Sequence, residues 1–296
     1  MNTATLPMKT KCVSPWAGGK RTLAPRIVEL LGEHDYYAEV FVGGCSILPR
    51  KPRSGVERIN DLNPKIVNVL TCIRDELPKL KSILEPVDFD YESFASARGF
   101  LSAIETHGPS YLPNPTDRAA DQLIAWWMGP SGLAGTNTKG WFATRHTKTG
   151  GHPAVRWESF KASLPAHSER LQHFVDITQL DFKRFLRQTP DYKGVSIYVD
   201  PPYFTKAFDY ECDFAPQDHY DLSNRLNAYK HARIVVSYYD AVSEGGLCDG
   251  SLLDELYPPD RWRRVEVEVS KASASASGKA KRATEVLLVN DVEANS

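Results

Sequence analysis

No Cys-x-x-Cys pair and no Cys/His grouping at zinc spacing occurs in this chain, whose five cysteines, Cys12, Cys45, Cys72, Cys212 and Cys248, lie scattered from end to end. That pattern argues against a disulfide framework and a structural zinc site, and predicts reduced thiols. His146 and His152 flank a glycine pair, but no carboxylates or cysteines gather around them, so no metal is expected. Long apolar runs and an early hydrophobic segment are also missing, which argues against membrane insertion and secretion and predicts a cytoplasmic protein. An excess of charge is lacking too: 36 Lys and Arg stand against 37 Asp and Glu, for a net charge of −1. If nucleic acid is bound, the positive potential must be concentrated on one face.

What is present is ordinary core-forming material, 42% hydrophobic and 25% charged, enough in 296 residues for one large domain or two smaller ones. Leu23, Ile27, Leu30 and Leu31 recur at helical spacing and end at Gly32, predicting a helix over residues 20–32. Tyr37 to Val42 reads as a strand running into Gly43-Gly44, and Glu57 to Asn60 as a second strand leading to Asp61. Pro64 then opens a helix to about Arg74. Strand pattern returns at Phe174 to Ile177, Val195 to Val199 and Ile234 to Ser237, each separated by a plausible helix. Two alternating runs, Arg263 to Val269 and Thr284 to Asn290, predict a C-terminal antiparallel hairpin with a mobile basic connector.

From about Leu77 to Leu171 the pattern changes to short helical stretches broken by Pro and Gly, which reads as an insertion. The expected organisation is one discontinuous α/β domain, residues 1–76 and 172–296, interrupted by a segment over 77–171. Between residues 139 and 161 the insert carries Lys139, Arg145, Lys148, Arg156 and Lys161 against a single acid, Glu158, interleaved with Trp141, Phe142 and Trp157. Such a stretch suits phosphate neutralisation with aromatic contact to bases, and equally a solvated loop. Adjacent Trp126 and Trp127 read as core.

The most informative stretch is Asp200-Pro201-Pro202-Tyr203, directly after the apolar run ending at Val199. Two prolines cannot continue a ladder, and they leave the Pro201 carbonyl without an intrahelical partner, beside a carboxylate and an aromatic ring. A flat heterocycle with an exocyclic amino group, adenine or cytosine, matches two acceptors and a stacking surface. Taken alone, the motif also suits an ordinary strand-to-turn exit.

Four elements stand in order: Pro15-Trp16-Ala17-Gly18-Gly19-Lys20, Phe41-Val42-Gly43-Gly44, Asn60-Asp61-Leu62-Asn63 and Asp200-Pro201-Pro202-Tyr203. Together they resemble the Dam-like DNA adenine methyltransferases over most of the chain, up to the closing strand Thr284 to Asn290. The resemblance implies a Rossmann-like methyltransferase sheet with a C-terminal antiparallel hairpin, and an inserted, mainly helical target-recognition domain. It implies S-adenosylmethionine as methyl donor, no metal, double-stranded DNA as partner and no obligate protein partner. Trp16 and Lys20 then match cofactor contacts, Lys20 as a donor to the methionyl carboxylate. Phe41, Gly43 and Gly44 match the glycine turn that lets backbone approach the cofactor, and Asp61 the acceptor for ribose hydroxyls. Asp181 and Phe182 match a position beside the cofactor adenine, and Asp200 lies against the methyl end.

Catalysis is then implied at Asp200, Pro201, Pro202 and Tyr203: the Asp200 carboxylate and Pro201 carbonyl accept the two N6 N–H donors, and Tyr203 stacks on a base flipped from the duplex. Lys139, Arg145, Lys148 and Arg156 are the expected DNA contacts. The chain departs from the family pattern where Glu39-Val40-Phe41 lacks a proline after the acid and where Cys45 replaces a third small residue. The insert resembles phage and mobile-element members, which favours an orphan enzyme over a restriction–modification partner. Methylation of the cytosine amino group and a catalytically silent DNA- or cofactor-binding module remain alternatives.

Overall fold

Pro25 can occupy only the first turn of a helix, and the structure, a computed structural model, accordingly starts α1 (Ala24–Leu31) one residue before it. The structure describes residues 12–108, 114–130, 132–138, 140–144, 152–203, 209–239, 250–274 and 280–290. The strands are β1 (Tyr36–Glu39), β2 (Val56–Asn60), β3 (Val175–Thr178), β4 (Val195–Val199), β5 (Arg233–Tyr239), β6 (Trp262–Ala274) and β7 (Ala280–Asn290). They form one sheet in the order β3-β2-β1-β4-β5-β7-β6. The first five are mutually parallel, whereas β7 runs antiparallel to both β5 and β6. The chain leaves β1 toward β2 and β3 on one side, and toward β4 and β5 on the other. The reversal therefore falls between β1 and β4, where open α/β sheets place their ligands.

Strand alternation assigns each residue to a face. In β4, Val195, Ile197 and Val199 join one cluster with Phe182 and Phe185 of α7 (Phe182–Gln188) and Leu222 and Leu226 of α8 (Pro216–Asn227), whereas Tyr198 joins the opposite one. A short helix α9 (Gly250–Leu256) completes the α7/α8 layer through Leu253 and Leu256. On the other face lie α1, α2 (Pro64–Asp75) and four helices of the segment read as an insertion: α3 (Leu77–Leu84), α4 (Tyr91–His107), α5 (Pro115–Met128) and α6 (Pro153–Gln172). Ile66, Val69 and Ile73 of α2 share one buried cluster with Leu80, Phe94, Leu123, Trp127, Trp157 and Phe160. The helices of residues 77–171 thus continue the core of α2. Trp126 and Trp127 are buried, as adjacent bulky residues on an apolar helix should be.

The hairpin forms where alternation predicts it, but β6 runs on to Ala274 and β7 starts at Ala280. The ladder reaches further into the Ala/Ser connector than side-chain pattern indicates because backbone pairing propagates it. The centre of that connector lies outside the described residues.

Beneath the α1 side, Glu57 of β2 is buried between two cations. Lys51 Nζ lies 2.6 Å from Glu57 Oε1 and also donates to Ser54 Oγ and the Pro52 carbonyl at 2.7 Å each. Arg170 of α6 grips both Glu57 oxygens, with Nη2 2.7 Å from Oε1. Burial would push the Glu57 carboxyl up, but the Arg170 hydrogen bonds and the Lys51 charge hold it below its ordinary value. Replacing Glu57 with Ala strands two buried cations and should cost about 3–5 kcal/mol of stability, read by urea unfolding.

Candidate active site

Prolines stop the ladder at the carboxyl end of β4, and Asp200 there faces an open cleft at the β1/β4 reversal. Asp200 is ion-paired: Lys20 Nζ stands 3.0 Å from its Oδ1 and 3.2 Å from Glu285 Oε1. Lys20 also donates to the Gly18 carbonyl at 2.7 Å and lies 5.0 Å over the Tyr203 ring. The Tyr203 hydroxyl reaches Asp200 Oδ1 at 3.1 Å and Glu285 Oε1 at 2.8 Å. Burial raises the Asp200 carboxyl, opposed by the Lys20 charge and by hydrogen bonds from Lys20 and Tyr203. Glu285 is raised by burial, with Lys20 opposing and Asp200 reinforcing. Lys20, expected to meet a cofactor carboxylate, therefore has its ammonium directed at the carboxylates of the site itself. Glu285 went unnoticed in the sequence. Its only signal there was an acid opening the apolar run Val286 to Val289 of a buried strand.

At the end of β1, Gly43 and Gly44 turn the chain into the cleft. The sequence suggested that a Cβ here would collide with a cofactor; the structure shows a nearer reason. A Cβ on Gly43 would stand 2.9 Å from the Trp16 indole, and one on Gly44 2.8 Å from the Ser14 carbonyl. The glycines thus admit the N-terminal segment, whose Trp16 and Lys20 line the cleft. Cys45, in place of a third glycine, holds a left-handed φ of 54°, which explains the preference for a small residue there. Glu39 lies at the floor, accepting from Tyr37 Oη at 2.9 Å, and burial raises its carboxyl to about 8, so it is mostly protonated at neutral pH.

Asp61 follows β2 and binds backbone: Oδ2 accepts from the Gly43 N–H at 2.8 Å and Oδ1 from the Asn63 N–H at 3.0 Å. Burial raises its carboxyl to about 6, against the hydrogen bonds from Asn63, Gly43 and Leu62. Asn60 ties the strand ends together, donating to the carbonyls of Val40 (3.1 Å) and Leu180 (2.9 Å) while accepting from Thr178 Oγ1 (2.8 Å) and the Leu180 N–H (2.9 Å). That pin carries the chain to Asp181, which caps α7 by accepting from Lys183 N–H at 2.8 Å, and to Phe182. Phe41, Phe182 and Phe214 form an aromatic trio with centroids 5.5–6.0 Å apart along the cleft. Phe214 was also missed, being an isolated aromatic in a polar stretch. The cleft is lined by every residue expected at the cofactor and catalytic positions: Trp16, Lys20, Phe41, Gly43, Gly44, Asp61, Asp181, Phe182, Asp200, Pro201, Pro202 and Tyr203.

Of the expected DNA contacts, Lys139, Arg145 and Lys148 lie outside the described residues. Arg156, on α6, is half-buried with its guanidinium 5.9 Å over the Trp127 ring. The interleaved aromatics divide. Trp157 is fully buried and donates to the Val87 carbonyl at 3.0 Å, and Phe142 packs with Phe89, Tyr91 and Phe94, whereas Trp141 is 85% exposed. Lys161 bonds the Val87 carbonyl at 3.1 Å and Glu158 at 2.9 Å, so it serves the α3–α4 turn.

A thin wall separates the cleft from a second, polar groove. It consists of residues 134–136, joined to Trp16 by the Ala17 N–H to Ala134 carbonyl bond (3.1 Å) and to residues 209–211 by the Glu211 N–H to Gly135 carbonyl bond (3.0 Å). Gly135 and Tyr210 face the cleft, whereas Ala134, Thr136 and Glu211 face the groove with Arg98, Gln122 and Asn137. Glu211 is held by Lys65 Nζ at 2.7 Å and Asn63 Nδ2 at 2.8 Å.

Residues 16–268 match the family model described as D12 class N6 adenine-specific DNA methyltransferase. A curated relative, Type II methyltransferase M1.LlaDCHI of Lactococcus lactis subsp. cremoris, is 25% identical over 285 residues, which span 93% of each chain. Among solved structures, a precorrin 8W decarboxylase from Methanobacterium thermoautotrophicum aligns over 92% of this chain and 90% of its own, at 11% identity and a TM-score of 0.37. A putative methyltransferase yhhF from Escherichia coli aligns over 92% and 85%, at 9% identity and a TM-score of 0.34. Scores this low carry no argument about function.

Gly135 combines a φ of +82° with a Cβ position only 2.3 Å from the Trp16 ring. Gly135→Ala should cost roughly 1–3 kcal/mol in thermal unfolding and alter the near-ultraviolet dichroism of the Trp16–Trp126 pair.

Proposed function

Because the chain belongs to the D12 class of N6 adenine-specific DNA methyltransferases, we propose that its cleft binds S-adenosylmethionine and receives an adenine flipped from the duplex. The enzyme methylates the N6 amino group of adenine in DNA. One observation carries the residue assignments: the four sequence elements, up to 187 positions apart in the extreme pairing of Trp16 with Tyr203, line a single cleft.

The residues present fit the cofactor. The aromatic trio of Phe41, Phe182 and Phe214 suits a flat heterocycle, with Asp181 at its edge as acceptor. Asp61 has lone pairs left for ribose hydroxyls beyond the backbone bonds it already accepts. Trp16 walls the cleft above Gly43 and Gly44, and Lys20 holds the Asp200 carboxylate where the methyl end would lie. When bound, S-adenosylmethionine supplies a sulfonium methyl already activated for displacement.

The adenine amino nitrogen is conjugated into its ring and is a poor nucleophile. Asp200 and the Pro201 carbonyl accept its two N–H donors, which draws electron density onto nitrogen and turns its lone pair toward the methyl carbon. Pro202 holds that backbone in place. Tyr203 provides the stacking surface for the base. For the DNA itself, we assign phosphate contacts to Lys139, Arg145, Lys148 and the outer edge of Arg156, with residues 77–171 as the recognition domain and 1–76 with 172–296 as the catalytic domain. The name of the Lactococcus relative favours a restriction–modification setting over the orphan setting expected from the insert.

The decisive experiment incubates protein, S-adenosylmethionine and unmethylated mixed-sequence DNA, then quantifies methylated nucleosides by mass spectrometry. N6-methyladenine should form, and Asp200→Ala should reduce its rate by about 10²–10³-fold while the circular dichroism is retained; full activity in that variant would remove Asp200 from the mechanism. Cofactor binding should also titrate with Asp61. Its carboxyl ionises at about 6, so affinity should weaken as pH falls through that value, because protonation takes away acceptor capacity. Asp61→Asn should bind weakly with a flat pH dependence, measured by calorimetry.

A further inference from the structure

Lys20 presents a difficulty for the reading of Asp200 given above, on which this inference rests. A buried ammonium 3.0 Å from Oδ1 stabilises the ionised carboxylate and weakens it as a hydrogen-bond acceptor and as a base. A lone Lys–Asp pair would be close to inert toward an adenine amino group. The second carboxylate changes this. Glu285 on β7 is 3% exposed, lies 3.2 Å from the same Nζ, and takes the Tyr203 hydroxyl at 2.8 Å against 3.1 Å for Asp200. A hydroxyl has one proton to donate, so Glu285 competes with Asp200 for Tyr203 as well as for Lys20.

We propose that Glu285 is a positioning residue for methyl transfer: by sharing Lys20 and Tyr203 with Asp200, it keeps Asp200 basic enough to hold, and then take, a proton of the adenine amino group. The transfer balances as follows. The N6 lone pair forms the new N–C bond while the methyl–sulfur bond breaks and leaves its electron pair on sulfur. The nitrogen, now positively charged, passes one proton to an Asp200 oxygen. Two carboxylates and one ammonium carry a net charge of −1 before that step and are neutral after it, so the proton lands where it relieves repulsion between buried acids. The raised carboxyls of both Asp200 and Glu285 agree with this arrangement.

Other groups face Glu285 from each neighbouring element. The N-terminal segment brings Lys20, and β4 with its exit brings Tyr198, Asp200 and Tyr203. β5 places Tyr239 and β6 places Val267 opposite in register, whereas Glu266 and Glu268, opposite Val286 and Thr284, belong to the other face of the sheet and are exposed. Only Lys20 is cationic among these.

The test is Glu285→Gln, which keeps the shape and removes the charge. The Lys20 charge is then no longer divided between Asp200 and a second carboxylate at Glu285. Single-turnover methylation with saturating S-adenosylmethionine should fall on the order of 10²-fold at its plateau. The acid limb of its pH profile should move to lower pH, with DNA and cofactor affinities unchanged. In the free protein, the Asp200 carboxyl, followed by ¹³C NMR, should titrate about 1–3 pH units lower. A wild-type plateau overturns the proposal, as does a slow variant whose Asp200 titration has not moved, since that pattern marks a merely structural role. If Glu285→Gln does not fold, Lys20→Gln provides the opposite sign: two unpaired acids should push the Asp200 titration up, and an unmoved titration overturns the proposal equally. Failure of the parent reading looks different. Full activity in Asp200→Ala would discard Asp200 as the amino-group acceptor while leaving its coupling to Glu285 intact.

Discussion

One buried ammonium holds this site together. Asp200 and Glu285 come from different strands and meet at the rim of the cleft, where two acids alone would repel and take up protons. Lys20 makes their proximity tolerable, and the N-terminal segment must dock for Lys20 to arrive. Docking in turn requires the Val13 N–H to Gly44 carbonyl bond at 3.0 Å, the Trp127 indole bond to the Val13 carbonyl at 3.0 Å, and glycines flat enough to pass under Trp16. The charge at the active site therefore depends on packing between the sheet and α5.

The sheet supplies the rest of the positioning. Reversal of strand order between β1 and β4 opens a crevice at their carboxyl ends, and β2 and β3 extend it sideways. Asn60 spans those ends with both halves of its amide satisfied, so the turns bearing Phe41, Asp61 and Asp181 are fixed relative to one another. Antiparallel β7 slots between β5 and β6 and brings Glu285 to the same edge.

Strand and helix positions were legible because period-2 and period-3.6 apolar patterns report directly on which face is buried. Val195 to Val199 is the clearest case, with all five residues buried between two helical layers. The residues that line the cleft were legible for a different reason: glycines, prolines and acids at strand ends have few structural uses. Glu285 escaped because its significance lies entirely in what it meets across 265 positions of chain from Lys20. Trp157 misled because a basic neighbourhood says nothing about which side of an amphipathic helix an aromatic occupies; its indole turned into the α3–α4 packing. A second demand on Gly43 and Gly44 escaped for the same reason, since local sequence does not reveal that an indole lies above them.

The ribbon of residues 134–136 against 209–211 shows alternate residues to two compartments. Gly135 and Tyr210 face the cleft with Asp200, whereas Ala134, Thr136 and Glu211 border the polar groove with Arg98 and Gln122. A substitution on this partition therefore acts on one compartment or the other according to its place in the alternation. A chimera that exchanges residues 77–171 between two such enzymes would need residues 134–136 and 209–211 to travel as a unit, because half a partition would match neither compartment.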